Sequence, residues 1–472
     1  MSSEKSIQQK LYFSAPYSIK KVLSSLYGLK QARERYGVYY KTWMTLLKES
    51  QWFDNDRLRE FQLVRTKKFL IHARENTAYY NHLFKEKNFN PDKISSLDEL
   101  RNLPLLKKSD IRKDTDSFLS GLNNRKNVRW AHTSGTTGQA LVFPLSVEAF
   151  QREHAFRHLH YSWSGVNAGE KVAVCAGHPV TEINRNKPPF WTYDLYNKWL
   201  ILSSYHLTRE NLEYYIREIS KYAPAIIKGY PSSIYLLALA HKHSSYKVSP
   251  RAVYTASETL LAYQRQVIEE SFNCKVYNWY GTSEMCVNIV ECEQGKMHLK
   301  MEHSYVEIIR EDGSAAGAGE EGKVVCTSFG NYALPFIRYD VGDVVKLSRE
   351  ETCKCGRGGI LVDEVLGRSE DYIITPDGRW VGRLDHIFKD SLAVSEAQII
   401  QKTPDSIEIR MVISDDYDKK EEAEILEEAR NRLGREIKIK INYVSEIKRT
   451  KNGKFKFIVS ELDKRELYND TV

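Results

Sequence analysis

The chain reads as an α/β protein: helix-covered parallel sheets with an antiparallel subdomain, followed by a small α+β domain. Three observations carry this reading. Short apolar strands alternate with helical segments from Val147 to Trp279, the pattern of parallel strands joined by helical crossovers. From about His298 to Leu347 the period switches to two, with turns at Asp312-Gly313 and Gly317 to Gly322, the signature of antiparallel strands. The composition then breaks near Gly367-Arg368-Ser369-Glu370-Asp371, which sets a boundary between residues 1–366 and 367–472.

A chain of 472 residues, 42% hydrophobic and 11% aromatic, has ample material for more than one core. Its net charge of +8 comes from 70 basic and 62 acidic residues, spread without the dense Lys/Arg arrays that track a phosphate backbone, so nucleic acid is not the expected partner. No run of 18 apolar residues occurs, and scattered charges precede the first apolar stretch; a transmembrane segment and a signal peptide are both unexpected, and the cytoplasm is the expected location. Seven cysteines, an odd number, fit a reducing compartment.

Residues 1–85 carry apolar side chains at three- and four-residue spacing, among them Leu23, Leu26, Phe61, Val64, Phe69 and Leu70, and form a helical cap. Helices are expected at Val147–Trp163, Asn211–Tyr222, Ser232–His241 and Leu260–Phe272, with strands at Lys171–Cys175, Ala225–Lys228, Ala252–Thr255 and Lys275–Trp279. In the final hundred residues the pattern predicts a helix at Leu384–Lys389, strands at Ala397–Lys402 and Ile407–Val412, a charged helix at Lys419–Arg432 and a strand at Ile437–Ile441.

The segment Thr133-Ser134-Gly135-Thr136-Thr137-Gly138 has glycines that let backbone N–H groups turn inward and hydroxyls that add donors, which is what a polyphosphate needs. No Gly-Lys-Ser/Thr follows, so it is not a Walker loop; taken alone, a Ser/Gly turn is the other reading. Three more loops follow in order: Tyr280-Gly281-Thr282-Ser283-Glu284, Tyr339-Asp340-Val341-Gly342-Asp343 and Arg449-Thr450-Lys451-Asn452-Gly453-Lys454.

That order and spacing resemble the adenylate-forming superfamily (the ANL-type fold). Gly229-Tyr230-Pro231-Ser232, Thr255-Ala256-Ser257-Glu258 and Cys353-Lys354-Cys355-Gly356-Arg357 are similar, more specifically, to the phenylacetate-coenzyme A ligase family in its capsular-polysaccharide-biosynthesis (CapK-like) branch. The resemblance implies a large N-terminal adenylation domain and a small mobile C-terminal one. It implies an AMP-forming ligase that uses ATP and Mg²⁺ to turn a carboxylic acid into an acyl-adenylate. The acyl group then passes to coenzyme A or to an amine on a cell-surface sugar precursor. A scaffold that kept the fold without the chemistry is the alternative of a different class.

The same resemblance assigns roles. Thr133 to Gly138 hold the β- and γ-phosphates, and Ser283 contacts the α-phosphate in one ATP-binding loop with Gly281 and Thr282. Glu284 holds Mg²⁺, Tyr280 lies against adenine, Ser257 and Glu258 edge the adenine pocket, and Asp343 accepts the ribose hydroxyls with Arg368 nearby. Lys454 bridges carboxylate and α-phosphate, and residues 368–371 form the hinge, where Glu370 stands at the family's usual Asp position with Asp371 after it.

Cys292 and His298, with Cys353 and Cys355 some 55 residues on, offer three thiolates and an imidazole, a closed ligand set for structural zinc. Free cysteines are the other reading, since the spacing matches no standard finger. Tyr230, Ser232, Ser233, Tyr235, Trp191 and Tyr193 are candidates for the acyl pocket, against ordinary packing; Cys175, Cys274, Cys286 and Cys326 are expected in the core.

Overall fold

The computed structural model describes residues 12–121, 128–132, 141–178, 180–182, 185–208, 210–368, 373–376, 380–381, 384–388, 391, 393–449 and 455–462. Four helices open the chain: α1 (Tyr17–Arg35), α2 (Val38–Ser50), α3 (Asn55–Asn76) and α4 (Ala78–Glu86). Their starts are capped where the sequence provides a short oxygen side chain: Asp54 accepts the Arg57 N–H ahead of α3 and Thr77 accepts the Tyr80 N–H ahead of α4.

Strands β1 (Val128–His132) and β2 (Val142–Ser146) pair antiparallel, and Ser146 caps α5 (Val147–Ser162). Then come β3 (Val172–Ala176), β4 (Trp191–Asp194), β5 (Trp199–Ser203), α6 (Leu212–Tyr222), β6 (Ile226–Gly229), α7 (Pro231–Lys242), β7 (Ala252–Ala256), α8 (Ala262–Phe272) and β8 (Lys275–Gly281). Antiparallel strands follow: β9 (Asn288–Glu291), β10 (Met297–Leu299), β11 (Ser304–Ile309), β12 (Glu321–Ser328), β13 (Tyr339–Leu347) and β14 (Ile360–Arg368).

Among the described residues these strands form one continuous sheet in the order β11-β12-β13-β14-β10-β9-β8-β7-β6-β3-β5-β4. The antiparallel region expected as a subdomain therefore extends the parallel sheet instead of closing on itself; β9 pairs antiparallel with β8 at Trp279↔Val290 and carries the ladder across. The parallel strands alternate inward residues. Ala173, Cys175, Ile227, Val253 and Val276 pack under α6, α7 and α8, while Val174, Ile226, Tyr254 and Tyr277 face Tyr161 and Trp199 on the α5 side.

The last part has its own four-stranded sheet, β19-β18-β17-β20, and its own core of Ile399, Ile409, Met411, Ile425 and Leu433. Its elements are β15 (Ile373–Ile374), β16 (Trp380–Val381), a 3-10 turn at Leu384–Phe388, β17 (Val394–Thr403), β18 (Ser406–Ile413), α9 (Lys419–Leu433), β19 (Lys438–Tyr443) and β20 (Ile458–Ser460). β14 ends at Arg368 and β15 begins at Ile373; Ser369, Glu370 and Asp371 lie outside the described residues.

One buried ion pair ties the segment after the helical cap, at Arg101 and Leu103, to the sheet edge. Arg338 donates from Nε and Nη2 to the two oxygens of Glu307 at 3.0 Å each, and from Nη1 to the Leu103 and Arg101 carbonyls. All three guanidinium nitrogens donate, four hydrogen bonds in all, which is the kind of pairing under which a buried charge is tolerated. Removing one partner leaves the other charge stranded. Glu307→Ala is expected to cost roughly 3–5 kcal/mol of unfolding free energy, read as a lowered urea midpoint.

Candidate active site and metal centre

The C-terminal ends of parallel strands are where α/β folds collect ligands, and three predicted loops lie there. β6 ends at Gly229, where an added Cβ would stand 1.8 Å from the Cys175 carbonyl oxygen, so only glycine lets β6 and β3 approach at this point. Tyr230 follows and donates its N–H to that same carbonyl at 3.0 Å. β7 ends at Ala256, and Ser257 adopts a left-handed φ of 73° that turns the chain sharply and sets the position of Glu258.

Glu258 is the junction of the two parts of the molecule. Its Oε2 accepts the Ser232 N–H at 3.2 Å, and its Oε1 accepts the Phe455 N–H at 2.6 Å. Burial pushes its carboxyl pKa up, and the two N–H groups with Arg449 pull the other way. Arg449 is held by Glu396 and lies over the Phe455 ring at 4.8 Å, so the C-terminal segment is braced where it touches the large part.

Near the end of β8, the Tyr280 hydroxyl donates to Asp343 Oδ2 at 2.6 Å; the stretch Tyr339–Asp343, expected as a loop, is the first half of β13, so the bond joins two strands of one sheet. Asp343 is also opposite Arg368 in the β13–β14 register, so these two predicted neighbours are paired across adjacent strands. Glu284, 8% accessible, accepts the Tyr339 hydroxyl on Oε1 at 2.9 Å. Its second oxygen takes no hydrogen bond among the described residues, and one free carboxylate oxygen is what Mg²⁺ asks of a protein when phosphates and water supply the rest. Gly281, Thr282 and Ser283 form the turn before it, closed by Met285 N–H to Thr282 O at 3.0 Å. Residues 133–138 lie outside the described residues. The strands flanking them pair at His132↔Val142, and Phe143 reaches the Glu284 region through Phe336 at 5.7 Å and Tyr339 at 4.8 Å beyond it. Lys454 lies outside the described residues as well.

Two acyl-pocket candidates are misplaced by the sequence reading. Trp191 and Tyr193 sit on β4, the outer edge of the sheet, where Trp191 meets Tyr215 and Tyr193 bonds Glu218, so they pack against α6 and stand apart from the loops. Ser232, Ser233 and Tyr235 are buried in the first turns of α7, below Tyr230. Cys175, Cys286 and Cys326 are buried as expected, and Cys274 is half-buried beside the α8 core.

The four metal-ligand candidates converge. Sγ of Cys292, Nε2 of His298 and the sulfurs of Cys353 and Cys355 lie within 4.8 Å of one another, with Cys292 3.6 Å from Cys353 and Cys355 3.4 Å from His298. Ligands of a tetrahedral zinc with bonds of ~2.3 Å stand roughly 3.8 Å apart, so the set fits the ion. The β9–β10 hairpin presents Cys292 at its turn and His298 on β10, and β14, paired to β10 at His298↔Leu361, brings in the preceding Cys353–Cys355 turn. Backbone N–H groups of Gln294 and Cys355 point at Cys292 and Cys353, and the Gly358 carbonyl lies 3.3 Å from His298 Nδ1, which orients the ring.

Sequence and fold comparisons place these features in context. Residues 373–461 match the model of the CapK C-terminal domain. Protein CapK of Staphylococcus aureus is 27% identical over 461 residues, spanning 96% of this chain and 99% of that protein. The phenylacetate-coenzyme A ligase of Thermus thermophilus is 26% identical over 350 residues, 69% of this chain and 74% of that one. The chain is similar to CapK over nearly its whole length and to the phenylacetate-coenzyme A ligases over about two thirds of it. The resemblance drawn from its motifs is thus borne out. A crystal structure of 2-hydroxyisobutyryl-CoA ligase in the postadenylation state, with R3-HIB-AMP, superposes with a TM-score of 0.68 at 17% identity, over 90% of this chain and 94% of that one. The same enzyme in its thioesterification state gives 0.55 over the same shares. The fold of this chain is that of the adenylate-forming ligases.

What the motifs did not reveal is the Glu258–Phe455 contact, the Tyr339 hydroxyl on Glu284, and a group of cations around Lys228. The last had a signal: a lone charge inside the apolar strand Ile226-Ile227-Lys228-Gly229. For the metal centre, purified protein is expected to carry about one zinc per chain. Cys353→Ser is expected to lose the zinc and thermal stability together, read by metal analysis alongside a melting curve.

Proposed function

We propose that this chain activates a carboxylic acid with ATP as an acyl-adenylate and then transfers the acyl group to coenzyme A. The observation that carries this reading is the closure at Glu258, where a C-terminal segment beginning one residue after Lys454 meets a loop of the large domain. A carboxylate is a poor acyl donor, because its leaving group would be oxide; attack on the α-phosphorus of ATP exchanges oxide for AMP. Two anions must meet in that step, so the site needs fixed donors and cations at the phosphates.

Each part has a candidate. Tyr280 and Asp343 form one wall of the nucleoside pocket, with Asp343 as acceptor for the ribose hydroxyls and Ser257 and Glu258 at the adenine edge. Glu284 offers its free oxygen to Mg²⁺, which when bound neutralises phosphate charge; Ser283 and the 133–138 segment supply donors. Lys454 is assigned to the carboxylate and α-phosphate, a role suited to a compact charge on a flexible stem beside a glycine. Release of Phe455 from Glu258 would then turn the small domain, residues 367–472, about the 368–371 hinge and open the acyl-adenylate to its acceptor.

We place the protein in the cytoplasm; among the described residues no helix is long and apolar enough to cross a membrane. A cell-surface sugar amine is the competing acceptor, and the decisive experiment separates it: a carboxylic-acid panel scored for pyrophosphate release with and without coenzyme A. Release with one acid class and thioester formation when coenzyme A is added is the expected result. Release unaccompanied by thioester would move the assignment to an amine acceptor, and none with any acid would favour a scaffold. Lys454→Ala is expected to slow pyrophosphate release by about two to three orders of magnitude, while transfer from preformed acyl-adenylate runs near the parent rate. Equal loss in both half-reactions would contradict domain alternation.

A further inference from the structure

Below the loops, on the α5 face of the sheet, cations gather with too few carboxylates to balance them. Lys228 stands on β6 one residue before Gly229; its ammonium lies 4.0 Å from the Trp199 ring centre and 5.4 Å from that of Tyr161. It makes no hydrogen bond or ion pair among the described residues. Arg35, the last residue of α1, lies over the same Trp199 ring at 5.3 Å; it bonds Gln31 through Nη2 and leaves a buried Nε without a partner. Arg157 of α5 is the third cation, bonded to Glu153 at 3.1 Å.

The nearby carboxylates are already engaged. Glu153 also accepts from Asn288 at 2.9 Å and faces His303, Glu34 pairs with Arg129, and Asp194 receives Asn197. The surrounding histidines add no negative charge: His154 and His158 are both pulled to low pKa by burial and by these cations, and His158 is fixed by the Tyr40 hydroxyl at 2.7 Å. Desolvation and the charges of Arg35 and Arg157 push the Lys228 ammonium down to about 7, with no anion pulling it back. Yet the group borders open space: the Arg157 side chain keeps 42% of its surface accessible, and His178 is exposed. Two unpaired cations in an accessible, aromatic-walled and poorly hydrated place carry an electrostatic deficit that a bound anion removes.

The cluster adjoins the proposed site. Lys228 leads directly through Gly229 and Tyr230 to Ser232, whose N–H is on Glu258. We infer that the acid activated here carries a second anionic group, a carboxylate or a phosphate, seated between Lys228 and Arg35 against Trp199 while its reactive carboxylate reaches the loops above. Arg supplies paired donors and Lys a point charge, a combination suited to either anion. The inference rests on the adenylation reading and names the substrate class for it.

Matched pairs of acids test it: straight-chain dicarboxylates against monocarboxylates of equal length, and phosphorylated hydroxy acids against the free hydroxy acids. The parent is expected to favour the doubly charged member by about 100-fold or more in kcat/KM for pyrophosphate release. Lys228→Met and Arg35→Gln are each expected to cut that preference about tenfold or more through KM for the acid, with KM for ATP unchanged. Whichever pair shows the preference identifies the second group. A parent that uses both members equally, or variants that weaken both alike, would overturn the inference and leave adenylation standing. If no acid releases pyrophosphate, the adenylation reading falls, and thermal shift still decides this one. The doubly charged acids should raise the melting temperature of the parent and not of Lys228→Met; no such difference overturns it. Lys228→Met alone should melt no lower than the parent, because it removes an unpaired charge, whereas a purely structural lysine would lose stability.

Discussion

A single carboxylate holds the functional arrangement together. Glu258 takes one backbone N–H from the start of α7 and one from the C-terminal segment, and both are amides that would otherwise be left without an acceptor on closure. Burial keeps its pKa raised even with these contacts in place, so the two N–H groups, the Ser232 side chain and Arg449 offset only part of the cost of the charge. The contact is therefore sensitive to domain position: moving the small domain strips one donor from a desolvated carboxylate, and ligand charge entering the site changes the balance again. In the proposed cycle this makes Glu258 a latch whose strength depends on what occupies the pocket beside it.

The remainder of the large part acts as a frame for that latch. One sheet runs unbroken from the antiparallel edge at β11 to the β4 edge, so the loops bearing Glu258, Tyr280, Glu284 and Asp343 hang from a common ladder. The Cys/His centre reinforces the middle of this ladder, where β9, β10 and β14 meet. Arg357, two residues after Cys355, pairs with Glu293 at 2.7 Å and reaches Gln51 at 3.1 Å, which fastens the turn between α2 and α3 to the same place. A metal there would anchor the helical cap without touching the chemistry.

Much of this was legible in the sequence because it is local. Strand-ending loops with Gly, Ser and Glu, the helical spacing of the cap and the alternation of Val147 to Trp279 each leave a short-range trace. The Cys/His set was legible as chemistry and not as geometry: Cys292 and Cys353 meet only because β10 pairs with both β9 and β14, a register that spacing alone does not encode. The continuous sheet was hidden for the same reason, since period two reports antiparallel pairing and not which strand lies next door. Trp191 and Tyr193 show the converse. They were candidates for the acyl pocket by residue type, and the edge position of β4 turns them to packing. Lys228 was read only as the end of a strand, and the groups around it come from α1, α5 and β5, three distant stretches of chain.

The central claim is that the acid's own oxygen attacks the α-phosphorus. With the acid that supports pyrophosphate release, carboxylate labelled with oxygen-18 tests it in one turnover followed by mass spectrometry of the nucleotide product. Adenylation predicts AMP carrying one labelled oxygen, and unlabelled pyrophosphate. Label appearing in inorganic phosphate, with ADP as the nucleotide product, would mean an acyl phosphate and would contradict the account.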